Sequence, residues 1–376
     1  MEATANHLPG PAKLVVTVDE ALTVRPVFLP DGSQSGAVRI RLALSSRLRE
    51  TRWRSVSTAP SSEEGRVGNG IANALPPLCR LHPGRRLLQP PVVEHLDPQL
   101  IRTALIQALE EDLGSGDATS LACIPTEAES SARMNARERL TVAGLAFAEG
   151  AFRELAPNAM IRRCVEDGQS CEAGMTLLEV RGPSRALLSA ERVALNFLQR
   201  LSGVASATAR YVRLLEGTRT RILDTRKTTP GWRRLEKYAV RCGGGVNHRM
   251  GLHDRILIKD NHLAALADAA PDPVTAAVRR ARAQFPSLFV QVEADTPEQA
   301  QRAAEAGADG VLLDNMSLEV LRESLRRIAG RCQTEASGGI HETTVRAVAE
   351  TGVDFISVGA LTHSARAVDI GLDFLQ

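Results

Sequence analysis

Residues 289–315, FVQVEADTPEQAQRAAEAGADGVLLDN, contain the unit that decides the fold: an apolar run, an amphipathic helical segment, and a second apolar run. This unit recurs along the last third of the chain. Its apolar runs end at Glu293, Asp314, Ser337 and Gly359, at spacings of 21, 23 and 22 residues. A strand and a helix repeated at this length build a parallel sheet. We therefore predict a βα-barrel. A doubly wound open sheet is the alternative, which the lack of GxGxxG after a first strand disfavours.

The segments that precede this repeat extend the pattern towards the N-terminus. Further strands are predicted to end at Lys259 (ILIK) and Asp224 (RILD), with a helix over VTAAVRRARAQF. Earlier still, Asp97 and Pro98 predict the start of a helix that Gly114 ends. Residues 130–181 contain the β-like runs LTVAGLAFA and TLLEVRG, and residues 184–216 have helical spacing. The chain thus has a small α+β region before the barrel.

Residues 1–91 differ from the rest of the chain. The stretch SSRLRETRWRSVSTAPSSEEGRVGNG is polar and has little periodicity, which predicts a largely irregular, poorly ordered extension. A targeting segment would also be rich in Arg and Ser, but the acidic residues here disfavour that interpretation. A small extra domain is the third alternative, since PAKLVVTVDEALTVRPVFL can pair as a hairpin.

The composition excludes several classes of protein. Aromatic residues make up 3% of the chain, too few for nucleic-acid binding by base stacking. No apolar run reaches the roughly 20 residues that a membrane span needs. The six cysteines form no CxxC pair, which disfavours zinc ribbons and thiol redox chemistry. Unpaired thiols without a secretory signal indicate the cytoplasm.

The segment 221–263 is strongly basic, with ten Lys or Arg against four Asp or Glu. Cations packed between apolar strands and the run Gly243–Gly245 predict a pocket for a small molecule that carries several negative charges. A guanidinium matches a carboxylate or phosphate with two hydrogen bonds. The helical stretch GWRRLEKYA is expected to present Arg233, Arg234 and Lys237 to solvent, with Glu236 as a partner. The cations expected in the pocket are Arg226, Lys227, His248, Arg249 and Lys259.

Polar residues stand at the predicted carboxyl ends of the strands, where βα-barrels carry their functional groups. Glu293 and Asp314 are carboxylates one βα unit apart. They can hold Mg²⁺ together with substrate phosphate oxygens, or lie beneath a developing positive charge, as in glycosyl transfer. Ser337-Gly338-Gly339 and Gly359-Ala360-Leu361 follow the last two strands. Their backbone N–H groups can approach a 5′-phosphate.

Seven motifs together resemble the quinolinate phosphoribosyltransferase family: ERVALNFLQRLSG, DTRKTTPGWRRLEKYAVRCGGGVNHRMGL, ILIKDNH, VEADT, GVLLDN, EASGGI and ISVGALTHS. The resemblance runs from about Val92 to the C-terminus and leaves residues 1–91 without a counterpart. It implies an N-terminal open-sandwich domain over 92–195, completed by 363–376, and an incomplete α/β barrel over 196–362. It also implies a homodimer with shared active sites.

The resemblance further implies a reaction and a set of site residues. Quinolinate and phosphoribosyl pyrophosphate would give nicotinate mononucleotide, pyrophosphate and CO₂, with Mg²⁺ and no organic cofactor. Lys227, Glu293 and Asp314 would be catalytic, and the last two would serve the Mg²⁺ region. The substrate-binding residues implied are Arg192 from the partner subunit, Thr225, Arg226, Lys227, His248, Arg249, Lys259, Glu293, Asp314, Ser337, Gly338, Gly339, Gly359, Ala360 and Leu361.

Three other functions stay open at this stage. A related phosphoribosyltransferase would act on a different acid. A barrel lyase or isomerase would use Lys259 as a Schiff-base amine. A non-catalytic metabolite-binding protein would use the same cations without turnover.

Overall fold

The computed structural model describes residues 96–375, so the extension predicted over residues 1–91 lies outside the described part of the chain. The first part of the described chain combines short antiparallel strands with four helices. Its elements are α1 (Pro98–Leu113), α2 (Ala118–Cys123), β1 (Glu129–Ala136), β2 (Leu140–Thr141), α3 (Leu145–Leu155), β3 (Met160–Arg163), β4 (Ser170–Cys171), β5 (Thr176–Pro183) and α4 (Ser184–Leu214).

The second part alternates strands and helices, as the repeat predicts. Its elements are β6 (Arg221–Leu223), α5 (Arg233–Cys242), β7 (Ile256–Ile258), α6 (Asp260–Ala264), α7 (Pro273–Gln284), β8 (Val290–Ala294), α8 (Pro297–Glu305), β9 (Gly310–Asp314), α9 (Leu318–Ile328), β10 (Gln333–Ser337), α10 (Val345–Ala349), β11 (Phe355–Ser357), α11 (Ala360–His363) and β12 (Ile370–Leu375).

The parallel sheet has the strand order of a barrel. Its order is β6-β11-β10-β9-β8-β7, and every pair is parallel. From β7 to β11 each strand lies beside the next one along the chain, and the last then pairs with the first. A doubly wound sheet instead reverses its strand order in the middle. Within residues 96–375, β6 and β7 are not paired, so the barrel is open there. The predicted α/β fold class is confirmed, and the open-sheet alternative is wrong.

A separate antiparallel sheet has the order β12-β1-β5-β3, so the C-terminal strand pairs with β1. Helix α4 crosses residue 195 without a break, and the predicted domain boundaries stay predictions.

Three rings join helices α3, α4 and the start of α5. Phe197 stacks on Phe147 with centroids 4.7 Å apart and on Trp232 with centroids 5.0 Å apart. Offset aromatic pairs of this kind add to the stability of the packing.

Two helix starts are fixed by aspartate side chains, one local in sequence and one distant. The Asp97 side chain accepts the Gln99 backbone N–H, and Pro98 and Gly114 stand at the two ends of α1 as predicted. The predicted strand over LTVAGLAFA is wrong beyond Thr141. Leu145 begins α3 instead, because the Asp167 carboxylate accepts the backbone N–H groups of Gly144 and Leu145. This cap comes from more than twenty residues away, where no local pattern reveals it.

Candidate active site

A cavity of about 530 Å³ opens at the carboxyl ends of the parallel strands. This volume is typical of small-molecule sites. Arg192 and Leu361 are not in its wall: Arg192 is exposed on α4, and the Leu361 side chain is buried in the core. The predicted site residues that line the cavity are Thr225, Arg226, Lys227, His248, Arg249, Lys259, Glu293, Asp314, Ser337, Gly338, Gly339, Gly359 and Ala360.

The strands reach this cavity by alternation. In β10, Gln333 and Glu335 line the barrel interior and Ser337 lines the cavity, while Ala336 lies on the side of helices α9 and α10. The inward layer just below the mouth contains Gln291, Glu335 and Ser357, all buried. Barrel interiors are usually filled by branched apolar side chains. This polar layer therefore differs from the usual barrel interior, which suggests that its side chains have a functional role.

One side of the cavity holds two partly buried cations, Arg226 and Arg249. Burial is the main cause that lowers the pKa of Arg249, and the nearby charge of Arg226 lowers it further. The Arg226 Nε is buried and has no hydrogen-bond partner among residues 96–375. Two partly buried like charges beside a buried donor that has no partner are typical of a site that binds an anion.

The acidic side chains of the mouth are held by neighbouring polar side chains. Glu293 Oε2 lies 2.7 Å from Lys259 Nζ, and the Glu293 side chain is only 12% exposed. Asp314 Oδ2 accepts a hydrogen bond from Asn315 Nδ2 at 2.7 Å. The basic and acidic groups predicted from separate segments therefore face one cavity.

Two glycines let side chains lie directly against the backbone. Gly338 has φ +90°, and a Cβ there would stand 2.1 Å from Asn315 Oδ1. A Cβ on Gly359 would stand 3.0 Å from Lys227 Cδ and 3.2 Å from the His363 ring. The Thr362 hydroxyl also donates to the Lys227 carbonyl at 2.8 Å. Glycine is therefore needed at position 338 for steric reasons, whereas a larger residue at position 359 would displace the Lys227 side chain.

Asp224 follows β6 at the predicted strand end, but its side chain does not face the mouth. It is fully buried and lies outside the cavity wall. Its Oδ1 accepts the His248 backbone N–H at 2.8 Å, and its Oδ2 accepts Asn247 Nδ2 at 2.6 Å. Asp224 thus anchors the segment that carries Arg249.

Helix α5 also differs from its predicted solvated face. Lys237 is 1% exposed, forms an ion pair with Asp224, and donates to the His248 carbonyl at 3.0 Å. Glu236 is fully buried and accepts both the backbone N–H and the hydroxyl of Thr229, at 3.0 and 2.7 Å. Arg233 is half-buried and donates to the Met250 carbonyl at 3.2 Å. Arg234 is exposed as predicted.

Sequence reasoning missed five further polar residues in the cavity wall: Asn315, Glu335, His341, Ser357 and His363. Asn315 has a φ of 51°, which is uncommon for a residue other than glycine. Glu335 stands two residues before the strand end at Ser337. Strand alternation places both on the same face, which is the signal that could have identified it.

Comparisons with known proteins agree with this architecture. Residues 117–202 match the family described as quinolinate phosphoribosyl transferase, N-terminal domain, and residues 204–373 match its C-terminal domain. The chain is 43% identical over 264 residues to a probable carboxylating nicotinate-nucleotide pyrophosphorylase of Bacillus subtilis, covering 70% of this chain and 89% of the relative. It is 41% identical to a carboxylating nicotinate-nucleotide pyrophosphorylase of Mycobacterium leprae, covering 72% and 96%.

A solved structure gives the same result. The nicotinate-nucleotide pyrophosphorylase of Francisella tularensis superposes with a TM-score of 0.71 at 36% identity, covering 75% of this chain and 99% of that protein. Together with the strand order and the cavity, these matches mean that the chain belongs to the quinolinate phosphoribosyltransferase family.

Proposed function

We propose that this protein transfers the phosphoribosyl group of phosphoribosyl pyrophosphate to quinolinate in NAD biosynthesis. The products are nicotinate mononucleotide, pyrophosphate and CO₂. The observation that carries the proposal is the single cavity in which Arg226, Arg249 and Lys259 face Glu293, Asp314 and two glycine loops. One part of this wall suits a diacid and the other suits a phosphorylated sugar.

Quinolinate has two adjacent carboxylates, and the cationic part of the wall suits them. A carboxylate beside Arg226 would accept from its unpartnered Nε. The same charge would stabilise Arg249, whose pKa is lowered by burial and by Arg226. The cations are therefore already in place before the dianion binds, which reduces the conformational entropy lost on binding.

The opposite part of the wall suits the phosphorylated sugar. Lys227 lies against Gly359, where its ammonium group can neutralise pyrophosphate oxygens. The loops at Ser337–Gly339 and Gly359–Leu361 present backbone N–H groups for the 5′-phosphate. We place the ribose near Glu293 and Asp314, between the two substrate ends.

The chemistry follows from this placement. The pyridine nitrogen forms a bond to the anomeric carbon as the bond to pyrophosphate breaks, and Lys227 stabilises the charge that develops on the leaving group. Glu293 and Asp314 favour the positive charge on the ribose. The quaternary ring nitrogen then stabilises the carbanion left when CO₂ departs, and that carbon takes up a proton. No organic cofactor is part of the proposal.

Mg²⁺ fits the proposal through Glu293 and Asp314. In the part of the chain that the structure describes, no three His, Cys, Asp or Glu side chains gather to hold a metal. Mg²⁺ usually takes one or two protein carboxylates and completes its shell with substrate phosphates and water. Bound in that way, it would neutralise charge on pyrophosphate. The two carboxylates would hold the ion only together with the substrate.

We also propose a homodimer with shared sites. Arg192 is exposed on α4 and is not part of the cavity of its own chain. It can serve quinolinate only by reaching the cavity of a second copy.

The cytoplasm is the compartment that we propose. Cys171 and Cys242 are buried free thiols, a form that a reducing compartment preserves. None of the helices between residues 96 and 375 has the length and apolarity to cross a membrane. Nucleic acid has no role in the proposal.

A panel of acids tests the function. Pyrophosphate release from phosphoribosyl pyrophosphate should require quinolinate and should be far slower with nicotinate, which lacks the second carboxylate. Turnover with a different acid and none with quinolinate would instead identify a related phosphoribosyltransferase.

Lys259 pairs with Glu293 at 2.7 Å, whereas a Schiff base requires an uncharged amine. Borohydride with a carbonyl substrate should accordingly trap no adduct.

A further inference from the structure

A chain of polar side chains crosses the barrel interior beneath the cavity. At its lower end, Arg255 Nη1 donates to Gln291 Oε1 at 3.5 Å, a long contact. Gln291 Nε2 then donates to Glu335 Oε2 at 2.8 Å. At the upper end, His248 Nε2 lies 3.2 Å from the same Glu335 oxygen. Glu335 is 3% exposed.

His248 and Gln291 both direct N–H groups at Glu335, so the side chain at this position has to accept two hydrogen bonds. Burial alone would raise the pKa of Glu335. Hydrogen bonds from His248 and Gln291 outweigh that effect and lower the pKa. Glu335 therefore remains an ionised double acceptor at neutral pH.

His248 is held at every polar atom. Its backbone N–H donates to Asp224, and its carbonyl accepts from Lys237. Its Nδ1 accepts the backbone N–H of Arg249 at 2.7 Å. Because Nδ1 is an acceptor, the ring proton lies on Nε2, which points at Glu335. The tautomer is thus assigned by the hydrogen-bond pattern.

We propose that Glu335 is a positioning residue for the acid-binding side of the cavity. It selects the Nε2–H tautomer of His248, which keeps Nδ1 available for the Arg249 N–H and so fixes where the Arg249 side chain enters the cavity. No feature of the sequence assigned a role to Glu335, and the inference rests on the proposed function for its kinetic consequence. Its consequence for the His248 tautomer is independent of turnover.

Glu335→Gln tests the kinetic consequence. The new side chain is uncharged, and its one oxygen accepts more weakly from the two donors, His248 and Gln291. We expect the KM for quinolinate to rise about 10- to 100-fold, the range for loss of one hydrogen bond to a charged group, while the KM for phosphoribosyl pyrophosphate changes less than about twofold. Equal rises in both KM values would overturn the proposal, as would an unchanged quinolinate KM.

The double variant Glu335→Gln with Gln291→Glu is the matched rescue. The carboxylate then stands at position 291, beside Arg255. After a rotation that turns its two end atoms towards the two partners, the amide at position 335 donates to this carboxylate and its oxygen accepts from His248, so both bonds that Glu335 made are replaced. We expect the quinolinate KM to return to within a few-fold of the wild-type value. Recovery of thermal stability without recovery of this KM would contradict positioning through the hydrogen-bond chain.

Val311→Ala supplies the control for a purely structural defect. Val311 is fully buried in β9 and lies between two residues that face the barrel interior, so its own side chain faces the helices. It should lower the Tm without separating the two KM values.

Nitrogen NMR of protein labelled with ¹⁵N-histidine tests the tautomer directly. The His248 signals are those lost in His248→Gln. The wild-type ring should show a protonated Nε2 and an unprotonated Nδ1; the reverse pattern would overturn the proposal. This measurement decides the matter even if quinolinate is not a substrate, in which case only the proposed function fails.

Discussion

The charged residues at the mouth of the barrel and those beneath it differ in their exposure to solvent and in their bonding partners. The mouth set, Arg226, Lys227, Arg249 and Lys259, is partly or fully exposed and faces the cavity. The buried set, Asp224, Glu236, Lys237 and Glu335, is at most 3% exposed and is bonded to the loops that carry the mouth set. We therefore expect the mouth set to contact ligand, while the buried set holds the backbone from which those side chains project. A ligand site with this arrangement is formed before the ligand binds.

The largest effect should come from breaking the buried set at Lys237→Met. The change leaves Asp224 buried without its ion-pair partner. The free energy of unfolding should fall by about 3–5 kcal/mol, measured by urea denaturation. Arg234→Met, on the exposed face of the same helix, should cost less than about 0.5 kcal/mol. A Lys237 variant as stable as the wild type would remove the distinction between the two sets.

Arg249→Ala tests the mouth set. Loss of its charged hydrogen bonds to quinolinate should lower kcat/KM about 100- to 1000-fold, with an unchanged Tm. Steady-state kinetics with varied quinolinate measure this loss. Arg234→Ala is the matched arginine control and should retain full activity. An unaltered kcat/KM in Arg249→Ala would exclude this residue from acid binding.

Mixing two inactive variants tests whether the mouth set is completed by a second copy. Arg192→Ala and Arg249→Ala dissociated and reassembled together should regain about a quarter of the wild-type activity, because half of the dimers are mixed and each mixed dimer has one intact site. Arg249→Ala reassembled alone should regain none. No recovery on mixing, with mixed dimers demonstrated, would place Arg192 outside the shared site.

Gly359→Ala should have a smaller effect on the mouth. The added methyl group would stand 3.0 Å from Lys227 Cδ and displace that side chain by a few tenths of an ångström. We expect the KM for phosphoribosyl pyrophosphate to rise about tenfold, with little change for quinolinate. A rise confined to quinolinate would mean that Lys227 faces the wrong substrate.

The smallest effect should come from an ion pair that belongs to neither set. The Arg366 hydrogen bond to Glu138 lowers the pKa of that carboxyl from 4.5 to about 2. Since the folded-state pKa is depressed, this contribution to stability is complete above pH 4.5 and disappears as the pH falls towards 2. Glu138→Gln should lower the unfolding free energy at pH 7 by less than about 1 kcal/mol. The difference from wild type should vanish near pH 2.

The sequence predicted the barrel and most of the mouth because both depend on local patterns. The repeat places Glu293, Asp314 and Ser337 at strand ends, and strand ends share one edge of the barrel. The helix charges of the buried set, Glu236 and Lys237, have no such signal, since a charge inside a helix looks the same in sequence whether it is solvated or paired. Lys237 was assigned to solvent for this reason; its partner Asp224 is thirteen residues away on another element.

The most direct test of the account is the stoichiometry of one turnover with quinolinate labelled with ¹³C at its 2-carboxylate. The account predicts labelled CO₂, pyrophosphate and mononucleotide in equal amounts from wild-type protein. Arg249→Ala should release all three at the same reduced rate. Pyrophosphate release without labelled CO₂, or CO₂ release without phosphoribosyl pyrophosphate, would contradict it.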